Sequence, residues 1–237
     1  MKVVEIFYSI DGEGKRAGEL TTFIRLLGCN LNCSYCDTNY AKTKDQEYTE
    51  MAIEDIIAEC DKYNTDNITV TGGEPMIHKD IKYLLRALSD AGYDVNVETN
   101  GSIPLEDYFE EPDPEDKENI YRPLEKYARV WFTIDCKTKS SGMYEKMEST
   151  NFSTNFENAL YKFVVGSQED LNQARDIIKN IPLNKSNYIY LSPVFGKIEP
   201  KEIVEFMQKY DWTELECPIR VQLQLHKMIW PPEQRGV

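Results

Sequence analysis

Positive charge is in short supply. The 237 residues carry 27 Lys and Arg against 41 Asp and Glu, a formal net charge of -14. Phosphate backbones are held by cations that release counterions, so this balance argues against a surface for duplex DNA or transfer RNA. Long apolar runs are missing too: no stretch of about 18 apolar residues marks a membrane span, and no charged start followed by an apolar run marks a signal peptide. A cytoplasmic location without membrane or nucleic-acid partners is expected. Histidine is rarer still, with only His78 and His226. Six cysteines in such a chain read as metal ligands and free thiols, not as a disulfide frame. The length requires no more than one domain, and residues 1–237 are read as a single one. The sequence has no internal repeat, and its one low-complexity tract is acidic.

Against this background, Cys29, Cys33 and Cys36 fall within eight residues on a polar loop, with no fourth ligand beside them. A structural zinc site closes with four Cys or His ligands, whereas three thiolates on a four-iron cluster leave one iron open to a substrate or cofactor. Cys60 recurs with Ile53, Ile56 and Ile57 at the spacing of one buried helix face and reads as core.

The remaining chain alternates strands and helices. Val3–Tyr8 and Thr22–Leu27 read as strands flanking the turn Asp11-Gly12-Glu13-Gly14, and Thr49 as a helix cap. Ile68–Thr71 is a short strand before Gly72-Gly73-Glu74-Pro75, followed by a helix with Ile81, Leu84, Leu85 and Leu88 on one face. Further strands are expected at Tyr93–Glu98, Val130–Ile134, Tyr161–Val165, Tyr188–Leu191 and Ile219–Leu225, with helices over 168–179 and 200–210. The Pro- and acid-rich segment around 104–123 reads as a surface insertion. This rhythm predicts an α/β fold, a partial, open TIM-like barrel of roughly six parallel β/α units. Functional residues would then collect at the carboxyl ends of the strands, where Gly73-Glu74, Glu98-Thr99-Asn100, Asp135-Cys136-Lys137, Ser192 and His226 stand. Glycine lets a backbone approach a ligand closely, and Glu74 can accept from an ammonium. Arg25 interrupts an apolar strand, which calls for a carboxylate partner, either from a substrate or from an internal Glu. His78 reads as a surface-loop residue.

The spacing Cys29-x3-Cys33-x2-Cys36, with Tyr35 before the last cysteine and Gly-Gly-Glu-Pro at 72–75, resembles the radical S-adenosylmethionine (SAM) superfamily. Within it, Ser9 to Gly14, Arg25, Cys36-Asp37-Thr38, Glu98 to Gly101, Asp135-Cys136-Lys137 and Gln224-Leu225-His226-Lys227 resemble the 7-carboxy-7-deazaguanine synthase family over nearly the whole chain. The resemblance implies a lyase in which Cys29, Cys33 and Cys36 hold a 4Fe-4S cluster that binds SAM. A 5'-deoxyadenosyl radical takes hydrogen from C6 of 6-carboxy-5,6,7,8-tetrahydropterin, and ring contraction with ammonia loss gives 7-carboxy-7-deazaguanine, a queuosine precursor.

The resemblance further implies SAM contacts at Tyr35, Cys36, Asp37, Gly73, Glu74, Glu98, Asn100, Asp135, Cys136, Lys137 and Ser192. It implies substrate contacts at Ile10, Asp11, Gly12, Glu13, Arg25, Thr71 and His226, and a Mg2+ held by Thr38. An external electron donor of flavodoxin or ferredoxin type and a homodimer are expected on the same ground. Asp11 stands where the family carries Gln and, when ionised, lacks amide donors. Two other readings compete: a glycyl-radical-enzyme activating protein with the same cysteine spacing, and a non-catalytic zinc or electron-transfer module.

Overall fold

The structure, a computed structural model, describes residues 1–43, 46–108, 129–157 and 159–237. Nine strands form one sheet. Lys2–Ile10 (β1) pairs antiparallel with both Leu20–Leu26 (β2) and the short Thr49–Glu50 (β3). From β2 onward the ladders are parallel, through Asn67–Gly72 (β4), Asp94–Thr99 (β5), Val130–Lys137 (β6), Ala159–Val165 (β7), Tyr188–Pro193 (β8) and Ile219–Val221 (β9). The order is β3-β1-β2-β4-β5-β6-β7-β8-β9, with β3 and β9 at the two ends, so the sheet is a partial barrel. The acidic insertion lies outside the described residues from 109 to 128, while its first turn is anchored by the buried Leu105.

Successive side chains on a strand point to opposite faces, and here the two faces differ in chemistry. Ile68, Val70, Val95, Val97, Phe132, Ile134, Cys136, Tyr161, Phe163 and Val165 belong to one continuous apolar core. Each large side chain buried there contributes about 1.5–3 kcal/mol. The alternate positions, Thr69, Thr71, Asn96, Thr133 and Lys162, are buried yet polar. They line the inside of the barrel, where a polar group is tolerated only if bonded. Thr133 accordingly donates to Asn96 Oδ1 at 2.9 Å.

Helices cover the apolar face. Ile53–Cys60 (α1), Ile81–Asp90 (α2), Gln168–Ile178 (α3) and Pro200–Lys209 (α4) turn Ile56 and Cys60, then Ile81, Leu84, Leu85 and Leu88, then Leu171, Ala174 and Ile178, then Ile203 and Phe206 onto the core. Pro200 occupies the first turn of α4, where its missing N–H costs nothing, behind a capping box of Glu199 and Glu202.

Several boundaries differ from the sequence expectation. Thr49 does not cap α1: it pairs with Val3, because the free edge of β1 offers ladder partners, and Ala52 takes the cap position. Asp135-Cys136-Lys137 and Ser192-Pro193 lie within β6 and β8, not beyond them. The last strand stops at Val221; Leu225–Ile229 (α5) carries His226 in its first turn, and the Leu225 N–H donates to the Gly12 carbonyl at 3.1 Å.

Candidate active site

The cysteine loop leaves β2 and is held by backbone contacts. The Gly28 N–H donates to Ala41 O at 2.7 Å, and the Gly28 carbonyl accepts from the Glu74 N–H at 2.7 Å. The Gly-Gly pair explains how this is possible. A Cβ on Gly72 would lie 2.2 Å from the Leu26 carbonyl oxygen, and one on Gly73 would lie 2.1 Å from that of Gly28. Gly72 therefore admits the end of β2, and Gly73 the cysteine loop that follows it.

Glu74 is held by the same junction. Its side chain has no exposed surface, and it accepts from Met76 N at 3.0 Å, Thr99 Oγ1 at 2.7 Å and Asn100 N at 2.6 Å. Burial pushes its pKa up to about 7 against the pull of these donors. The carboxylate thus ties the ends of β4 and β5 together, with two donors on Oε1 and one on Oε2. Asn100 points its amide at the loop, 3.7 Å from Cys29 Sγ and 3.0 Å from Asn30 Oδ1. His78 is not a bare surface residue: its Nε2 lies 2.9 Å from the Leu27 carbonyl, just before the loop.

All six cysteines are free thiols, but only Cys29, Cys33 and Cys36 are half-buried; Cys60, Cys136 and Cys217 are buried. Cys136 faces the apolar core, so its thiol is turned away from the cleft while its neighbours Asp135 and Lys137 face inward. Among the described residues, no three Cys, His, Asp or Glu side chains converge on a single-ion site. Three thiols that each take a different iron need no such convergence, and the loop's spacing suits that arrangement. The buried Tyr35 hydroxyl has no partner among the described residues, a polar atom left for a bound group. Burial raises the pKa of Cys29 and Cys33, with Lys137 drawing that of Cys33 back down. Ligation would have to displace those protons.

Deeper in the barrel the charges pair with one another. Lys162 on β7, only 8% exposed, lies 2.7 Å from Glu13 Oε2 and 2.9 Å from Asp135 Oδ1; Lys137 holds the other Asp135 oxygen at 2.5 Å. Desolvation raises the Asp135 pKa, but Lys137 and Lys162 outweigh it and the net shift is downward. Glu98 is shifted up by burial, with Lys162 opposing, and accepts from Thr71 Oγ1 at 2.9 Å. Below them Asp11 accepts from Thr69 Oγ1 at 3.1 Å and lies 3.5 Å from Arg16 Nε; burial and the nearby Glu98 push its pKa up to about 7. Arg16 closes the floor, donating to Asn67 Oδ1, Asp94 O, Ile68 O and Thr69 Oγ1 and stacking 4.6 Å from the Trp131 ring.

At the other wall, Arg25 Nε donates to Glu5 Oε1 at 2.7 Å, and Tyr40 donates to the same oxygen at 2.8 Å. The internal Arg–Glu pair weighed from the sequence is thus present. It occupies Nε alone: among the described residues the two terminal nitrogens carry no hydrogen bond, so the fork remains open. His226 feels the charges of Glu13, Lys227, Asp37 and Arg25 together, and desolvation lowers its pKa. Its ring lies where a Gly12 Cβ would be, 2.3 Å from Nδ1. Asp37, next to Cys36, is 2.6 Å from Lys227 Nζ and accepts from Thr38 Oγ1 at 3.0 Å. Desolvation raises its pKa, but Lys227 and these hydrogen bonds bring it well below the carboxylate range. Ile10 ends β1 half-buried against Leu20, and Ser192 is buried at the end of β8.

The structure therefore brings Asp11, Glu13, Asp37, Thr71, Glu98, Asp135, Lys137 and His226, with Arg25 beside them, into one polar neighbourhood on the inner face of the sheet. Lys162, Lys227 and Arg16 were missed as site residues. Lys162 had a readable signal, a cation inside the apolar run Ala159–Val165, the same signal that marked Arg25.

The chain matches the Radical SAM superfamily family model over residues 23–147. A 7-carboxy-7-deazaguanine synthase of Clostridium acetobutylicum is 42% identical over 100% of this chain and 99% of the relative. One of Chlorobaculum tepidum is 36% identical over 100% and 97%. The crystal structure of QueE from Escherichia coli shares the fold, with a TM-score of 0.66 at 22% identity over 92% of this chain and 93% of that one. Neither a zinc module nor a glycyl-radical activating protein is favoured by matches of this extent. Three free cysteines on the loop after β2, a charged cleft behind them and full-length likeness agree: the chain belongs to the 7-carboxy-7-deazaguanine synthase family of the radical SAM superfamily.

Proposed function

We propose that this enzyme converts 6-carboxy-5,6,7,8-tetrahydropterin to 7-carboxy-7-deazaguanine with release of ammonia, a lyase reaction that supplies deazapurines such as queuosine. Cys29, Cys33 and Cys36 would hold a 4Fe-4S cluster, which with SAM bound would supply the radical chemistry that removes hydrogen from the substrate. The single observation that supports this assignment of residues is geometric: the His226 ring packs against Gly12, next to Glu13, and its neighbour Lys227 reaches Asp37, next to Cys36, at 2.6 Å.

The residues divide the work. The open fork of Arg25 holds the substrate carboxylate, a bidentate geometry that guanidinium favours. Glu13, Thr71, His226 and the backbone of Ile10, Asp11 and Gly12 grip the bicyclic ring. Lys137, Asp135, Glu98, Asn100, Ser192, Tyr35, Asp37, the backbone of Cys36 and Cys136 and that of Gly73 line the SAM side. Thr38 offers a hydroxyl to Mg2+, which otherwise keeps waters and borrows substrate oxygens. With its pKa raised to about 7 by burial and Glu98, Asp11 is partly protonated near neutrality, and a protonated carboxyl has one donor and one acceptor, as an amide face does. That chemistry offsets the departure from the family's Gln.

Residues 1–237 act as one radical SAM domain, working in the cytoplasm as a homodimer with a flavodoxin- or ferredoxin-type electron donor. No helix among the described residues is long and apolar enough to cross a membrane. Anaerobic incubation of the reconstituted protein with SAM, reductant, Mg2+ and the carboxylated tetrahydropterin should yield the deazaguanine acid and ammonia. A cluster that cleaves SAM without forming that product would overturn the substrate assignment.

A further inference from the structure

Lys162 has no role in the site as described so far, yet it is buried between two carboxylates, Glu13 and Asp135. Its flanking residues Tyr161 and Phe163 are fully buried in the core, which fixes the backbone that carries it. Its ammonium joins Glu13 Oε2 at 2.7 Å to Asp135 Oδ1 at 2.9 Å, and Asp135 Oδ2 continues to Lys137 at 2.5 Å. Lys137 in turn sits in the field of Tyr35 and Cys33. Charges of alternating sign thus run from the turn after β1 to the cysteine loop: Glu13, Lys162, Asp135, Lys137. Three of the four come from the adjacent strands β6 and β7, and Glu13 enters from the far end of the barrel.

We propose that Lys162 is a positioning residue that couples the two ligands, so that substrate engaging Glu13 and SAM engaging Asp135 and Lys137 each strengthen the binding of the other. The inference rests on the assignment of Glu13 to the substrate side and of Asp135 and Lys137 to the SAM side. An ammonium has three donors, and two are committed here. In a buried, low-dielectric cleft, drawing Glu13 toward a ligand weakens its hold on Lys162 and leaves that ammonium more fully on Asp135. The Asp135 carboxylate and Lys137 are then held in one geometry before SAM arrives. Linkage makes the effect reciprocal, and couplings of this kind are about 5- to 150-fold.

The test is calorimetric titration of the cluster-loaded protein, without reductant so that nothing turns over, measuring SAM affinity with and without 6-carboxy-5,6,7,8-tetrahydropterin and the converse. In the unaltered protein each ligand should tighten the other by the same factor, on the order of tenfold. Lys162→Met should bring the factor to about one, and Lys162→Arg should restore part of it, since a guanidinium can also span two carboxylates. Retention of the full factor in Lys162→Met overturns the proposal. Should Lys162→Met not load its cluster, Glu13→Gln and Asp135→Asn decide. Coupling through Lys162 requires Glu13→Gln, which releases the ammonium to Asp135, to tighten SAM while weakening substrate, and Asp135→Asn to weaken substrate as well as SAM. If each variant weakens only its own ligand, the coupling fails and the site assignment stands. If Glu13→Gln leaves substrate affinity unchanged, the assignment fails, and the coupling with it.

Discussion

The two ends of the cleft are built on different principles. At the cysteine loop, polar side chains hold backbone: Glu74 accepts from two main-chain N–H groups and Thr99, His78 meets the Leu27 carbonyl, and two glycines let chain lie on chain. Across the rest of the site, side chains hold side chains, as Glu13 with Lys162, Asp135 with Lys137 and Lys162, Asp11 with Arg16 and Arg25 with Glu5. A loop locked through its main chain tolerates no added atom and is little affected by salt, and its titrating carboxylate tie is Glu74, with a pKa pushed up to about 7. A charge-paired pocket keeps its shape under small steric changes and responds to the loss of one charge, because breaking a buried pair strands the survivor. The first suits a cluster that must stay put, and the second suits a substrate that arrives bearing charge.

Four substitutions probe this contrast, from the largest expected effect to the smallest. Cys33→Ala should abolish cluster assembly and all turnover; iron and sulfide content with electron paramagnetic resonance reads the outcome, and product at the original rate would refute the ligand assignment. Gly73→Ala forces a Cβ to within 2.1 Å of the Gly28 carbonyl oxygen. Overpacking of this kind costs about 1–3 kcal/mol, and here it should appear as poor iron retention with a lowered melting temperature. A normal iron content would show that the loop end is softer than its packing implies. Arg25→Ala should raise the substrate KM with SAM affinity unchanged, by about 1.5–3 kcal/mol or on the order of 10- to 100-fold. An unaltered KM would mean that Arg25 serves Glu5 alone.

Asp11→Asn tests the charged end by pH. A carboxyl whose folded pKa is raised to about 7 keeps its proton longer when folded than when unfolded. Stability therefore falls as pH rises from about 4 toward 7. The Asn variant lacks this loss, so its melting temperature relative to the original should climb across that window and level off above it. A difference constant with pH would show that Asp11 ionises normally.

Much of the barrel was legible because it follows from short-range pattern. The helical spacing of Ile81, Leu84, Leu85 and Leu88 and the glycine stop at Gly92, with φ of 97°, needed nothing beyond neighbouring residues. The strand ends were less legible: Asp135, Lys137 and Ser192 look like loop residues in sequence but lie inside β6 and β8, because the inner face of this barrel is polar. The same alternation turned Cys136 away from the cleft although it sits between two of its residues. Thr49 looked like a helix cap until an edge strand claimed it.

The sequence by itself determined that three thiols share one loop, that the chain alternates strands and helices, and that cations interrupt two apolar strands. These are local facts, set by spacing along the chain. Only the tertiary structure decided what each charge faces. Glu13 and Lys162 are 149 residues apart and meet at 2.7 Å, and Asp37 and Lys227 are 190 apart and meet at 2.6 Å. Such pairs arise when the sheet curls and brings its inner face together. Sequence spacing carries no trace of that closure, since the driving force is burial of the outer apolar face and the inner contacts are its geometric consequence.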